Sequence, residues 1–511
     1  MDSYVSTHIF LFPFSLKGCG GMENIRRDLS QTGWERDRFE YTNGDYGENF
    51  SLQGYFHNFA IGALLDDESK HSIIESYKKT IGNNAKYIID VVSTKNREAK
   101  SYKLNVEKIT LNIYDGKVGI LAFHLLNYYY TEFADVLVIN DFGRRIHPLY
   151  FRIGQNGEID LSEIKKKILP NKIILDIDNG EAVFEEDFGR YLLKTEHPFI
   201  LPNHITGILP TSLHNTHWLQ GDLMYVISWY ANEELSSELN LSYASEDIEK
   251  AFEEKTDSYT TYDKWYRYVY VYKSRNSCNS KSRFLEQLKS ATYDRWASGG
   301  SLYGVSRFAF VALTNKDGYN VARRYIKSMY YHMASLCIAQ RTILLYFSNE
   351  IADITANLKD NKFESNIYDA VKKLNLDFIR FTNNIYFREV TLQLQGIELY
   401  NLMQNQLTIK QDLNEIKKEI DQLYQYVNMA GDQKRNDEAQ SLNNLAAILL
   451  PITVVTGFFG INDFFEITTK EGTWYTLCLG CILALALIIY IRFEKLKKWF
   501  YSLNKHLKLR K

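Results

Sequence analysis

Residues 453–463 read TVVTGFFGIND, an apolar run that closes on Gly460, Ile461 and Asn462 before an acidic loop. An amide at the edge of such a run is unexpected, because a polar group at a hydrocarbon boundary needs a partner. Just upstream, Leu445–Phe459 carries no charge. With the polar but uncharged residues from Ala439 to Asn444 it reaches roughly 20 residues, enough for a hydrocarbon layer of ~30 Å. A second run, WYTLCLGCILALALIIYIRF at 474–493, opens on the interfacial pair Trp474 and Tyr475 and holds its single charge, Arg492, near its far end. The short segment 460–473 joins the two. The sequence thus predicts a two-helix transmembrane hairpin: a first span at 439–459, an external loop at 460–473 and a second span at 474–493. The loop carries Asp463, Glu466 and Glu471 against Lys470, whereas the tail 494–511 is strongly basic. Positive charge stays inside, so the tail is expected in the cytoplasm and, with two spans, the N-terminus as well.

The first span is polar for a membrane helix. Its inner end carries Asn436, Gln440, Ser441, Asn443 and Asn444, and its body carries Thr453, Thr456 and Pro451. Lipid satisfies none of these groups, so they are expected to face other helices or water. Several copies around an axis would supply both, with the first span lining the centre and the second facing lipid. Before it, Ile409, Leu413, Ile416, Ile420, Leu423 and Val427 keep a heptad spacing. That seam can pack on its own chain or on copies of itself. Its apparent continuation into the first span favours self-association. Gly431 marks a bend.

The chain has 511 residues, too many for one core. Lys and Arg total 60 against 62 Asp and Glu, so no overall basic field points to nucleic acid as a partner. The five cysteines are Cys19, Cys278, Cys337, Cys478 and Cys481, and they form no disulfide framework. Six of the seven prolines precede Thr211, which suggests a helical second half. Strands are expected at Thr7–Pro13, at Ile109–Ile113 and Val118–Phe123 around the Asp115-Gly116 turn, and at ADVLVIND, 134–141. Helices are expected at Ser245–Lys255, Ser280–Ala297 and about Asn320–Asn357. The fold class expected is an α+β cytosolic domain, then a long stalk helix, then the membrane hairpin. The divisions are an α/β domain at 1–210, a helical region at 211–360 and a stalk at 361–438.

Four places could carry chemistry. Arg144 and Arg145 follow an expected strand in NDFGRRIHP, where two arginines at a turn can hold phosphate but are more commonly salt-bridged. YDRWASGGSLYGVSRF, 293–308, joins glycines to Arg295, Trp296 and Arg307; it reads equally as a ligand loop or as a tight helix–helix connection. YDKWYRYVYVY, 262–272, reads as core or interface. His204, His214 and His217 include an H-x-x-H pair without an evident third ligand. No nucleophile elbow, phosphate loop, zinc-protease helix or dinucleotide fingerprint is present, so nothing points to an enzyme and no cofactor is expected.

The order of cytosolic domain, long helix, apolar span ending in Gly-x-Asn, acidic loop, second span and basic tail resembles the CorA family of magnesium channels. The family ends its first span on Tyr-Gly-Met-Asn after a Pro-Leu-Thr-type segment. Pro451, Thr453, Gly457, Gly460 and Asn462 stand at the corresponding positions here. The resemblance implies a homopentameric funnel in the inner membrane of a bacterium. It implies Asn462 as the first contact of a hydrated cation at the outer mouth, with Gly460 and Ile461 in the same motif and Thr453 and Asn436 facing the pore below. Asp463 and Glu466 would concentrate cations there. Phe459 and Ile461 depart from the family's Tyr and Met, and its Met-Pro-Glu loop is missing, which leaves the transported ion, Mg2+ or another divalent cation, open. One branch of the family accompanies type III CRISPR systems. GRRIHP, ATYDRW…GSLYGVSRF and QGIELYNLM look like segments of that branch. Its members are thought to answer to an S-adenosylmethionine–AMP messenger in antiviral defence. That resemblance implies a nucleotide ligand near Arg144, Arg145, Arg295, Trp296 and Arg307. The alternative is a housekeeping magnesium transporter gated by the ion itself, and a third reading is a membrane-tethered scaffold or enzyme without a pore.

Overall fold

In the computed structural model the chain is described at residues 4–39, 52, 54–67, 72–92, 99–146, 169–188, 201–214, 217–218, 223–244, 257–316, 318–356, 358, 365–461 and 480. The sheet is organised around its first strand, β1 (Ser6–Ser15), all ten residues of which are buried. A strand reading as a continuous apolar run must be covered on both faces. β1 pairs antiparallel with β6 (Val118–Asn127) on one side and with β10 (Tyr225–Ala231) on the other. The remaining strands are β2 (Trp34–Arg36), β3 (Ile74–Lys79), β4 (Lys86–Val92), β5 (Ala99–Tyr114), β7 (Lys172–Asp176), β8 (Val183–Asp187), β9 (His217–Trp218), β11 (Thr292–Tyr293), β12 (Ser301–Val305) and β13 (Ala309–Thr314). The order along the sheet is β11-β12-β13-β10-β1-β6-β5-β4-β7-β8, with β3 added on β5, β2 on β3 and β9 on β1. β10 and β13 run parallel, in the register Val226 to Ala309. The expected hairpin is present as β5 and β6, with Asp115 and Gly116 both at positive φ, 48° and 61°. The Lys117 N–H closes this turn on the Tyr114 carbonyl at 3.0 Å, and three residues separate the paired Tyr114 and Val118.

The helices are α1 (Met22–Gln31), α2 (Asn58–Leu64), α3 (Phe133–Gly143), α4 (Asn203–Thr206), α5 (Glu233–Ala244), α6 (Asp257–Tyr270), α7 (Lys281–Ala291), α8 (Tyr319–Lys327), α9 (Met329–Ala356), α10 (Ser365–Asn384), α11 (Leu394–Gln406) and α12 (Ile409–Ile461). α3 covers one face of β1, where the His8 ring meets Asn140 at 2.7 Å and Gly143 lies against Phe10. α9 covers the opposite face. Its Tyr331 and Ser335 hydroxyls bond Thr110 and Tyr114 of β5 at 3.2 and 3.1 Å. On its other side Gln340 donates to the Ile385 carbonyl at 2.8 Å and the Tyr400 hydroxyl at 2.9 Å. Packed on both sides, α9 is buried nearly all round from Met329 to Leu344.

Several expectations are corrected. ADVLVIND is a helix, α3, and not a strand. Both sides of it are buried, so its apolar run has no period that tells strand from helix. The region 211–360 is not uniformly helical, because β10 to β13 lie within it. Of Ser280–Ala297, Lys281–Ala291 is helical, and the glycines at 299–304 lead into β12 instead of linking two helices. Asn320–Asn357 is two helices parted at Ser328. Ser245–Lys255 lies outside the described residues. The stalk is not one helix over 361–438 but α10, α11 and the start of α12. It breaks where Thr391 forms a bridge with Phe56 and where Thr408 takes a φ of 56°.

The chain divides into two compact units, one of Met1–Lys359 and Ala370–Gln422, the other of Asp360–Asp369 and Leu423–Lys511. The first unit has α+β architecture, and the region from α9 onward is helical.

Candidate functional site

Two groups of residues carry the functional question. The first lies on α12. Of its heptad seam, Ile409, Ile416, Ile420, Leu423 and Val427 are buried within a single chain, so that stretch is covered without a second copy. For these residues the own-chain packing, one of the two that the spacing left open, is present. Beyond Gly431 the described side chains are exposed. Asn436, Gln440, Ser441, Asn443 and Asn444 reach solvent, as do Leu442, Leu445, Leu449 and Leu450, at 68, 56, 48 and 62%. At 100° per residue Asn436, Gln440 and Asn443 fall on one face of the helix and Leu442, Leu445 and Leu449 on the opposite one. Thr453 bonds back to the carbonyls of Leu449 and Leu450 at 3.2 and 2.8 Å, which satisfies its hydroxyl inside an apolar run. Pro451 stands inside the helix, and Gly460 and Ile461 are its last two described residues. Asn462, Asp463, Glu466 and the second span, except Gly480, lie outside the described residues. Among the described residues no helix is long and apolar enough to cross a membrane. Within the expected first span, side chains past Leu450 are described only at Thr453.

The second group is basic. The five candidate ligand residues separate into two sets. Arg295 pairs with Glu398 of α11 at 2.9 Å, Tyr293 donates to the same carboxylate at 2.6 Å, and Arg295 lies over the half-exposed Trp296 ring at 5.8 Å. Arg144 and Arg145 close α3, and both are buried around Asp141, at 3.7 and 3.0 Å. The Arg144 guanidinium also lies 5.8 Å from the centre of the Phe308 ring, which brings Arg144 beside the turn that carries Arg307. Lys273 stands over the Phe142 ring at 3.5 Å, and burial pushes its ammonium down to about 8. Arg341 of α9 is enclosed, at 8% exposure. Burial first, and then the charge of Arg307, lowers its guanidinium to about 10, while Asp412 in the first turn of α12 works the other way. Arg341 and Asp412 were not anticipated from the sequence. The available signal was a lone charge in the apolar run SLCIAQRTILLYF.

Of the three histidines, the side chains of His204 and His214 are described and that of His217 is not. His204 is buried with neither ring nitrogen bonded, and His214 bonds the carbonyls of Thr206 and Leu209 at 2.9 and 3.0 Å. Among the described residues no group of three His, Cys, Asp or Glu could hold a metal ion.

Residues 327–495 match the family model of the CorA-like Mg2+ transporter protein. The chain therefore carries a CorA-like Mg2+ transporter domain from the last residue of α8 through α9 to α12 and into the expected second span. Residues 1–326, with the whole sheet, precede it. No curated protein matches the chain.

Proposed function

We propose that this chain is the subunit of a homo-oligomeric divalent-cation channel, without enzymatic activity. The membrane hairpin of residues 439–459 and 474–493 forms its pore, and Asn462 rings the external mouth. The observation that carries the reading is the family match over 327–495, which includes both apolar runs. The chemistry is coherent with it. A magnesium ion releases its waters reluctantly. Neutral amides can hydrogen-bond those waters without stripping or trapping the ion, and Asp463 and Glu466 raise the local cation concentration. The amide face of Asn436, Gln440 and Asn443 continues this lining toward the cytoplasmic side. In this reading N- and C-termini share that side and the assembly is a pentamer in the bacterial inner membrane.

The residues before the match serve as the sensor of a small phosphate-bearing ligand. The nearest ligand class is a nucleotide messenger of the S-adenosylmethionine–AMP type acting in type III CRISPR defence, and the basic groups around Phe308 support it. The family's description as a Mg2+ transporter favours a second reading, in which the ion itself gates a housekeeping transporter. A ligand gates only by binding the open state more tightly than the closed one.

The test is divalent-cation flux into liposomes holding the full chain. Flux is expected in the wild type and is expected to fall to the level of empty liposomes in Asn462→Ala; unchanged flux in that variant removes Asn462 from the filter. Flux absent from the wild type leaves the scaffold reading. Calorimetry on the same protein separates the gating readings, with nucleotide heats supporting the sensor and millimolar magnesium heats alone supporting the ion.

A further inference from the structure

We propose that Tyr102, Tyr130 and Asp135 form a cage for a cation of the quaternary-ammonium class, and that Lys100 of the same chain fills it as a displaceable plug. The cage stands where the first half of β5 meets the first turn of α3. Lys100 and Tyr102 are two residues apart on β5, so both project from one face of the sheet. The Tyr102 and Tyr130 rings lie 4.9 Å apart between centroids and cross at 63°, which makes two walls set at an angle. The Asp135 carboxylate forms a third wall and accepts the Tyr102 hydroxyl at 2.8 Å. The Lys100 ammonium sits among all three. It is 4.9 Å from the centre of the Tyr102 ring, 5.9 Å from that of Tyr130 and 2.6 Å from Asp135. Two ring faces and a carboxylate around one positive centre are the groups that recognise methylated ammonium ions.

The walls are held by bonds in which Lys100 takes no part. The Tyr130 hydroxyl donates to the Ser101 carbonyl at 3.0 Å and accepts the Lys103 N–H at 2.9 Å. The Asn127 side chain accepts the Tyr130 backbone N–H at 2.9 Å and donates to its carbonyl at 2.7 Å. The cage is therefore set before any occupant arrives, and a ligand does not have to order it. The plug is the less fixed part, because the Lys100 side chain is 51% exposed while that of Asp135 is 16% exposed. An exposed lysine–carboxylate pair contributes little on its own. A lysine ammonium is a compact, strongly hydrated charge. A quaternary ammonium spreads the same charge over methyl groups, which lose little water on meeting a ring. At 5.9 Å the Lys100 ammonium is at the limit of cation–π range from Tyr130, and methyl groups would fill that gap. The tether works the other way, since it gives Lys100 an effective concentration of about millimolar. A free cation thus competes with the plug and does not enter an empty site. All these residues precede the family match, and occupancy is measured without conduction, so a failed flux test leaves this inference standing.

The test uses the full chain in a non-ionic detergent with tetramethylammonium chloride as the probe. Binding is followed by calorimetry and saturation-transfer NMR against sodium chloride of equal ionic strength. The wild type is expected to bind saturably at about millimolar concentration. Lys100→Ala empties the cage and is expected to tighten binding about 10-fold. In that background Tyr130→Leu removes a wall and Asp135→Asn removes the charge, and each is expected to weaken binding about 10-fold. Tyr426→Leu, at an exposed tyrosine of α12, is expected to leave it unchanged. If Tyr130→Leu does not fold by thermal melting, Tyr130→Phe keeps the ring and loses only its hydroxyl bonds, and a smaller loss is expected from it. The proposal is overturned if tetramethylammonium acts no differently from sodium, or if Lys100→Ala binds no more tightly than the wild type. It is overturned as well if the tyrosine and aspartate variants titrate like their parent, which would put the bound cation elsewhere on the chain.

Discussion

His204 shows how much a single side chain can decide. It is fully buried between the Tyr87 and Phe123 rings, and neither of its nitrogens is bonded. Burial lowers it from an ordinary 6.5 to about 3. A histidine depressed on folding binds its proton more readily in the unfolded chain. Stability is therefore complete above the ordinary value and is lost as the pH falls through 6.5 toward 3. At pH 5 this one group costs about 2 kcal/mol. His8, lowered to about 4, and His332, lowered to about 3, act in the same direction, again through burial first. His204→Leu removes two unsatisfied ring nitrogens with little change of volume. It is expected to raise the melting temperature at pH 7 and to flatten the decline between pH 6.5 and 4.5. Urea denaturation at several pH values measures both, and an unchanged acid limb refutes the assignment.

At the scale of elements, the turn into β12 illustrates a constraint that pattern reading missed. The 3-10 turn Ala297–Gly299 ends on Gly300, at a φ of 76°, where an added Cβ would stand 1.9 Å from the Asn315 amide. Asn315 cannot retreat, because its backbone N–H donates to the Gly300 carbonyl at 2.9 Å and its side chain accepts from Gly318 at 2.9 Å. Gly300→Ala is expected to cost about 1–3 kcal/mol, the range of overpacked cores, with the m-value of urea unfolding unchanged. A loss below half of the lower figure contradicts the geometry. The same comparison shows what the sequence could reveal. The β5–β6 hairpin was legible because Asp115-Gly116 is a local signal with its own backbone geometry. β1 was legible because its apolar run is bounded. α3 was not, because burial on both sides erased its period; β10 was hidden because its partners β1 and β13 lie far away in sequence, and β12 and β13 because both are buried throughout and show no alternation. Of the site, Arg307 was legible as an arginine near glycines. The burial of Arg341 was not, because a lone charge in an apolar run does not say which distant elements will enclose it.

At the scale of the whole molecule, the two ends of the chain solve different burial problems. The sheet satisfies itself: β1 is wholly buried between β6 and β10, so its amides exchange only when the unit unfolds. α12 does not, because past Gly431 its described side chains are exposed, with Leu442, Leu445 and Leu449 on one face and amides on the other. Within the expected span 439–459 such a stripe is covered by lipid or by neighbouring helices, and the choice between them is made by packing and by where the amides find partners. The channel reading covers the stripe with other helices of the assembly and turns the amides toward the axis. It follows that Leu445→Glu should convert the detergent-solubilised protein from oligomer to monomer by light scattering. Hydrogen exchange should then speed up at 442–450 while β1 stays protected. The contrast matters more than either number, because a misfolded variant would lose both. An oligomer that survives the substitution, or wild-type exchange at 442–450 as fast as in a free peptide, would mean that this face is not where copies meet.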